Sequence, residues 1–149
     1  MKRTSIFLLP VLLAIVVFAT GCFNNNTSTP VPVPTGTFGG TFKLLRRKVG
    51  ATVVDTLKKA NIQLVLETGA GYKVLGDTAT VHAGSKGPFG INATYIAFDD
   101  TTYPKTGNPP NDKIHLYGSY FYNYDGTTLV LLFNQGDTLN YRYDFKRIN

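Results

Sequence analysis

Leu139-Asn140-Tyr141-Arg142-Tyr143-Asp144-Phe145-Lys146 alternates an apolar or aromatic side chain with a polar one at every step. A strict period of two sends successive side chains to opposite faces of an extended chain. Leu139, Tyr141, Tyr143 and Phe145 therefore share a face suited to burial. Asn140, Arg142, Asp144 and Lys146 share the face suited to water.

The stretch before it has the same character. Gln135-Gly136-Asp137 is a turn, and Leu129 to Phe133 is apolar on both faces. Asp125-Gly126 marks a tight hairpin turn, because such pairs tolerate positive φ. Ahead of it, Ile114, Leu116, Gly118, Tyr120, Tyr122 and Tyr124 fall on one face. These three strands read as a meander.

Turn signals recur through the rest of the body. Phe38, Phe42 and Leu44 share a face, and Gly40 between them predicts a sharp bend or a close strand crossing. Thr52 to Leu57 reads as a strand, with Asp55 to Ala60 compatible with a helical turn. Ile62, Leu64 and Leu66 alternate with Gln63, Val65 and Glu67. Thr68-Gly69-Ala70-Gly71 turns the chain back into Tyr72 to Leu75, and Gly76-Asp77 turns it again. Strands are expected at Thr78 to His82 and Asn92 to Phe98, with loops at 83–90 and 99–112, where Gly and Pro cluster. The expected fold is all-β: an antiparallel, up-and-down barrel of eight or nine strands, with a β-sandwich as the alternative. Closure of a barrel removes exposed sheet edges.

Composition agrees. Nine Tyr, ten Phe and fifteen Gly favour strands and turns, and 43% hydrophobic content argues against disorder in the body. The chain of 149 residues is one domain's worth. Its net charge is +6, with the bases scattered apart from Arg46-Arg47-Lys48 and Lys58-Lys59. Such short runs suit strand ends and turns facing water, and no nucleic-acid partner is expected.

The N-terminus reads differently. Lys2 and Arg3 precede an apolar run from Ile6 to Phe18, too short to span a bilayer comfortably and suited to a signal peptide. Phe18-Ala19-Thr20-Gly21-Cys22 follows and looks like a bacterial lipobox, with the only cysteine of the chain at its end. Residues 1–21 are expected to be removed and Cys22 to carry lipid. Each buried acyl methylene contributes about 0.8 kcal/mol, and stable anchoring takes more than one chain. Residues 22–35 form an Asn/Thr/Pro-rich tether with nothing to pack, and the barrel is expected over 36–149. The tether from Phe23 onward reaches roughly 40 Å in an extended polyproline conformation. No Asp follows Cys22, which favours the outer membrane. A single cysteine also excludes an intramolecular disulfide and zinc sites built from several thiolates.

The lipobox, Gly-Thr-Phe-Gly-Gly-Thr-Phe at 36–42 and the final Tyr143-Asp144-Phe145-Lys146-Arg147 together resemble small lipocalin-like (calycin-type) lipoproteins of Gram-negative bacteria. That resemblance implies a barrel that binds an apolar or amphipathic small molecule.

Candidate site residues follow from the strand pattern. Phe42, Tyr120, Tyr122, Tyr124, Tyr141 and Tyr143, with Phe145 beside them, are expected to face inward and either line a ligand cavity or fill the core. The loops at 83–90 and 99–112 would flank the mouth. His82 and His115 are expected at surface or rim positions. A metal site would need them to converge with Asp99, Asp100 or Asp112, and no metal or cofactor is expected. Ser85 beside His82 invites a nucleophile reading, but the strand-to-helix elbow of serine hydrolases is absent and a turn is expected. Asp99-Asp100 is expected to be a solvated pair. No catalytic constellation emerges, so an enzyme is not expected. The leading reading is a lipid-anchored envelope barrel that binds an apolar or amphipathic small molecule. The rival is an interaction, inhibitor or structural module with a filled core, meeting an envelope protein through an exterior patch around Tyr95, Tyr103 and Tyr117.

Overall fold

The computed structural model of the protein describes residues 32–48, 50, 54–103 and 113–149. The leader, Cys22 and residues 22–31 of the tether lie outside the described residues, as do Thr52 and Asp112.

Nine strands form one antiparallel sheet: β1 (Gly36–Arg47), β2 (Val54–Glu67), β3 (Gly71–Gly76), β4 (Lys86–Gly87), β5 (Phe89–Ile91), β6 (Tyr95–Phe98), β7 (Gly118–Tyr124), β8 (Thr128–Gln135) and β9 (Leu139–Arg147). The order across the sheet is β4-β3-β2-β1-β9-β8-β7-β6-β5. Its two ends, β4 and β5, are separated only by Pro88. One short segment therefore carries both edges, and the sheet rolls into a barrel. Lys86 and Gly87 pair with Lys73 and Tyr72 on one side. On the other side, the Thr101 amide donates to the Lys86 carbonyl at 2.9 Å and the Asp99 amide donates to the Pro88 carbonyl at 3.0 Å. Those two bonds extend the β5–β6 register, in which Phe89 faces Phe98.

The period-two stretches behave as their patterns demand. In β9, Tyr143 and Phe145 are buried while Asp144 and Arg142 face outward, and Asp144 takes ion pairs from Lys43 at 3.2 Å and Arg142 at 2.7 Å. At the β7–β8 hairpin, the Asp125 carboxylate accepts the amides of Thr127 at 2.8 Å and Thr128 at 2.6 Å. Those amides, that of Thr128 foremost, hold the Asp125 carboxyl below the usual carboxylate range. Asp55 to Ala60 is strand and not a helical turn. The register with β1 shifts between Leu44 and Leu45, leaving Leu57 as the extra residue of a bulge.

Three expectations are corrected. Thr78 to His82 is not a strand but a series of turns ending in a single bridge between His82 and Ile114. Ala83 to Gly90 is not simply a loop, since it contains the segment that closes the barrel. Asn92 to Phe98 is not one strand, because Asn92 accepts the amides of Thr94 and Tyr95 in a turn between β5 and β6. The β-branched run at 78–82 reads as a strand although it forms turns, and Asn92 reads as strand although its side chain caps a turn. A two-residue strand such as β4 has no periodicity to read.

The interior is packed with rings. Tyr72 meets Phe98 at 4.7 Å between centroids, Phe98 meets Tyr120 at 5.9 Å, and Tyr120 meets Tyr143 at 5.7 Å. Tyr143 then meets Phe42 at 4.9 Å and Phe145 at 5.8 Å. Phe38 and Tyr124 meet edge to face at 5.8 Å. Each fully buried ring contributes about 1.5–3 kcal/mol through apolar burial. Gly40 is where β1 passes too close to β9 for a side chain: a Cβ there would overlap the Asp144 carbonyl oxygen.

Candidate functional site

The turns at 77–81 and the stretch from Lys113 to Tyr117 meet at one end of the barrel. They are joined where the Ile114 amide donates to the Val81 carbonyl and the Ala83 amide to the Ile114 carbonyl, both at 2.9 Å. The ring of His82 is fully buried there and packs on Phe42 at 5.2 Å. This corrects the expected surface position. His82 is held inward by two hydrogen bonds, Nδ1 to the Ala83 carbonyl at 2.7 Å and Nε2 to the Tyr143 hydroxyl at 3.0 Å. A carbonyl only accepts, so Nδ1 carries the proton and Nε2 accepts from Tyr143. Burial lowers the imidazole to about 4, so it is neutral at physiological pH.

Asp100 is also fully buried, which corrects the expected solvated pair; Asp99 is exposed. The Asp100 carboxylate accepts the Thr102 hydroxyl at 2.6 Å, the Thr102 amide at 2.8 Å, His115 Nδ1 at 2.7 Å and the Lys86 amide at 3.3 Å. Burial alone would raise this carboxyl. The Thr102 hydroxyl, His115, the Thr102 amide and the Ser85 hydroxyl outweigh it and hold the group below the usual carboxylate range. Asp100-Thr101-Thr102 is the short local pattern by which an Asp turns onto its own following backbone, and it was the sequence signal for this anchor.

Ser85 is sealed too. Its hydroxyl accepts the Leu116 amide at 3.0 Å, while the Leu116 carbonyl accepts the Tyr72 hydroxyl at 2.6 Å. Two side chains thus satisfy the backbone of Leu116 just before β7, in place of a neighbouring strand. Burial foremost, with the Asp100 charge second, pushes the Tyr72 hydroxyl up. Burial likewise raises Tyr120 and Tyr143, so all three stay protonated. His82 and His115 do not converge on a carboxylate, and only His115 meets Asp100. No metal-holding group of three or more His, Cys, Asp or Glu exists among the described residues.

The six aromatics grouped by the sequence separate here. Phe42, Tyr120, Tyr124 and Tyr143 fill the interior. Tyr122 is half-buried and donates its hydroxyl to the Asn92 carbonyl at 2.9 Å. Tyr141 reaches an open cleft of about 600 Å³ at the His82 end, which it shares with Tyr103, Tyr117 and Phe133 and which the buried Tyr120 borders. Tyr103 and Tyr117 stack at 6.0 Å, with 21° between their planes. Phe133 lies 5.6 Å from Tyr120 and 5.5 Å from Tyr141. Tyr117 remains 50% exposed and Phe133 37% exposed, so these rings offer faces to solvent. Lys113, His115 and Gln135 supply polar groups to the same cleft. Phe133 escaped the sequence reading because β8 is apolar on both faces. Its place in register with Tyr141 is what reveals it.

Comparison with known proteins found no matching family model, no matching curated protein and no matching solved structure.

Proposed function

We propose that this is a non-enzymatic, lipocalin-like lipoprotein of the cell envelope. In this reading it is held at the outer membrane through Cys22, and it binds an amphipathic small molecule in the external aromatic cleft and not inside the barrel. The observation that carries the reading is the cleft of about 600 Å³ walled by Tyr103, Tyr117, Phe133 and Tyr141. Ligand sites are concave, mostly apolar and edged by a few polar groups, and this volume falls in their usual range of about 300–1,000 Å³. The ring-filled interior argues against a ligand carried within the strands. The sealed state of Ser85 argues against hydrolysis there. The test is mass spectrometry of small molecules extracted from the full chain purified from membranes, beside a Phe133→Ala variant. A bound amphiphile that is lost in the variant is the expected result. A protein that carries nothing, and whose variant binds added aromatic amphiphiles as the parent does, overturns the reading.

A second reading, docking to an envelope protein, draws on a separate patch. Tyr95, Phe121 and Leu132 stand in register across β6, β7 and β8, all exposed, with the first two rings 4.5 Å apart. Such a row suits an interface better than a pocket. Crosslinks to one envelope partner that Phe121→Ser abolishes would favour it over the cleft.

A further inference from the structure

We infer that the cleft takes an acid: a flat apolar ring body carrying one anionic group, with the anion read by Lys113. The inference rests on the cleft reading above and names the chemistry of its ligand.

Lys113 and His115 stand two residues apart and both line the cleft, as does Tyr117 two residues further on. Among the described residues, no carboxylate lines it. Asp100 is fully buried behind His115, and its oxygens are taken by Thr102, Ser85, Lys86 and His115. Lys113 Nζ donates to the Thr78 carbonyl at 3.3 Å, which uses one of its three protons. Gln135 Oε1 already accepts the Tyr141 hydroxyl at 2.7 Å, which leaves its amide protons to offer. What the cleft presents beyond its rings is therefore mostly donors, one of them a full positive charge.

Asp100 has a positioning role. It is held ionised and accepts from His115 Nδ1, so the proton on that ring is fixed at Nδ1 and Nε2 is left as an acceptor, suited to a ligand hydroxyl or amide and not to the anion itself. Tyr103 packs on the His115 ring edge to face at 4.8 Å and steadies it. Anion recognition by charge-assisted bonds beside stacked rings is the chemistry this arrangement offers. Among the described residues that line the cleft, a cationic amphiphile would meet Lys113 with no counter-charge.

The test uses two probes of one shape, 2-naphthoate and its neutral isostere 2-naphthamide. Each is titrated calorimetrically into the full acylated chain in detergent at low salt, against protein-free micelles. The naphthoate should bind roughly three- to tenfold more tightly. Lys113→Gln should remove that preference and leave naphthamide binding unchanged. Lys146→Gln, an exposed site at the other end of β9 from Tyr141, should change neither. Phe133→Ala should weaken both probes together. Equal binding of the two probes, a preference for the amide, or a preference that survives Lys113→Gln or is lost equally in Lys146→Gln overturns the anion inference and leaves the cleft reading standing. Loss of all binding, or indifference of both probes to Phe133→Ala, overturns the cleft reading itself.

Discussion

The hydroxyl of Tyr143 lies 3.0 Å from Nε2 of His82, and both residues are fully buried. They stand 61 positions apart, so the bond ties the turns after β3 to the last strand. It exists only while the imidazole is neutral, because a protonated Nε2 cannot accept.

Stability should therefore fall with acid. In the unfolded chain His82 takes up its proton near 6.5, whereas the folded protein resists until about 4. Above 6.5 neither state binds the proton and nothing changes. Between 6.5 and 4 only the unfolded state gains, so stability is lost progressively, by about 3 kcal/mol in all. Urea midpoints at several pH values across this window should show the decline, and His82→Gln should flatten it. An unchanged slope in the variant would assign the decline to other groups.

Asp100 predicts a loss of a different kind. Asp100→Ala strips the acceptor from the Thr102 hydroxyl and amide, the Lys86 amide and His115 at once, and should cost about 3 kcal/mol. His115→Ala leaves the other donors to Asp100 in place, the Ser85 hydroxyl among them, and should cost roughly 1 kcal/mol. Equilibrium denaturation separates the two. Equal costs would mean that the carboxylate and His115 act only as a pair.

Much of this architecture was legible before any coordinates. The β9 pattern, the Asp125-Gly126 hairpin and the inward set from Leu116 to Tyr124 all follow from period two and turn chemistry. Gly40 announced the close strand crossing that the Asp144 carbonyl imposes. The closing segment Lys86–Gly87 was not legible, because two residues bonded on both sides carry no period and their partners are distant in sequence. The burial of His82 and Asp100 was hidden for a related reason. Local partners, Ala83 for His82 and Thr102 for Asp100, are within reach of the sequence, but the side chains that complete each set, Tyr143 and His115, are distant in the chain and spacing does not encode them. The cleft lay between these limits. Tyr103 and Tyr117 were singled out as exterior aromatics and Tyr120 and Tyr141 as interior ones. Only the docking of Lys113 to Tyr117 over the barrel end brings them to one place.

The proposed tether makes Cys22 a direct test of location. Cys22→Ser leaves nothing to acylate, so the protein should move from the detergent phase to the aqueous phase on phase separation and lose incorporation of labelled palmitate. The barrel should fold unchanged, since β1 begins at Gly36. Continued partition into detergent would show that the anchor lies elsewhere.

Gly40 and Gly90 offer a matched pair for the packing argument. Both sit in strands, Gly40 in β1 and Gly90 in β5. A Cβ at Gly40 would strike the Asp144 carbonyl oxygen and crowd the Phe145 Cα, which are backbone atoms that cannot swing away. A Cβ at Gly90 would meet nothing within 4 Å. Gly40→Ala should therefore cost about 3 kcal/mol, which is roughly 10 °C in melting temperature. Gly90→Ala should change stability by less than about 0.5 kcal/mol. Because the two substitutions add the same methyl group, the difference between them reads out how tightly β1 is pressed onto β9. Similar melting temperatures for both variants would mean that the barrel can open at this crossing and that its interior is less rigidly filled than its ring contacts imply.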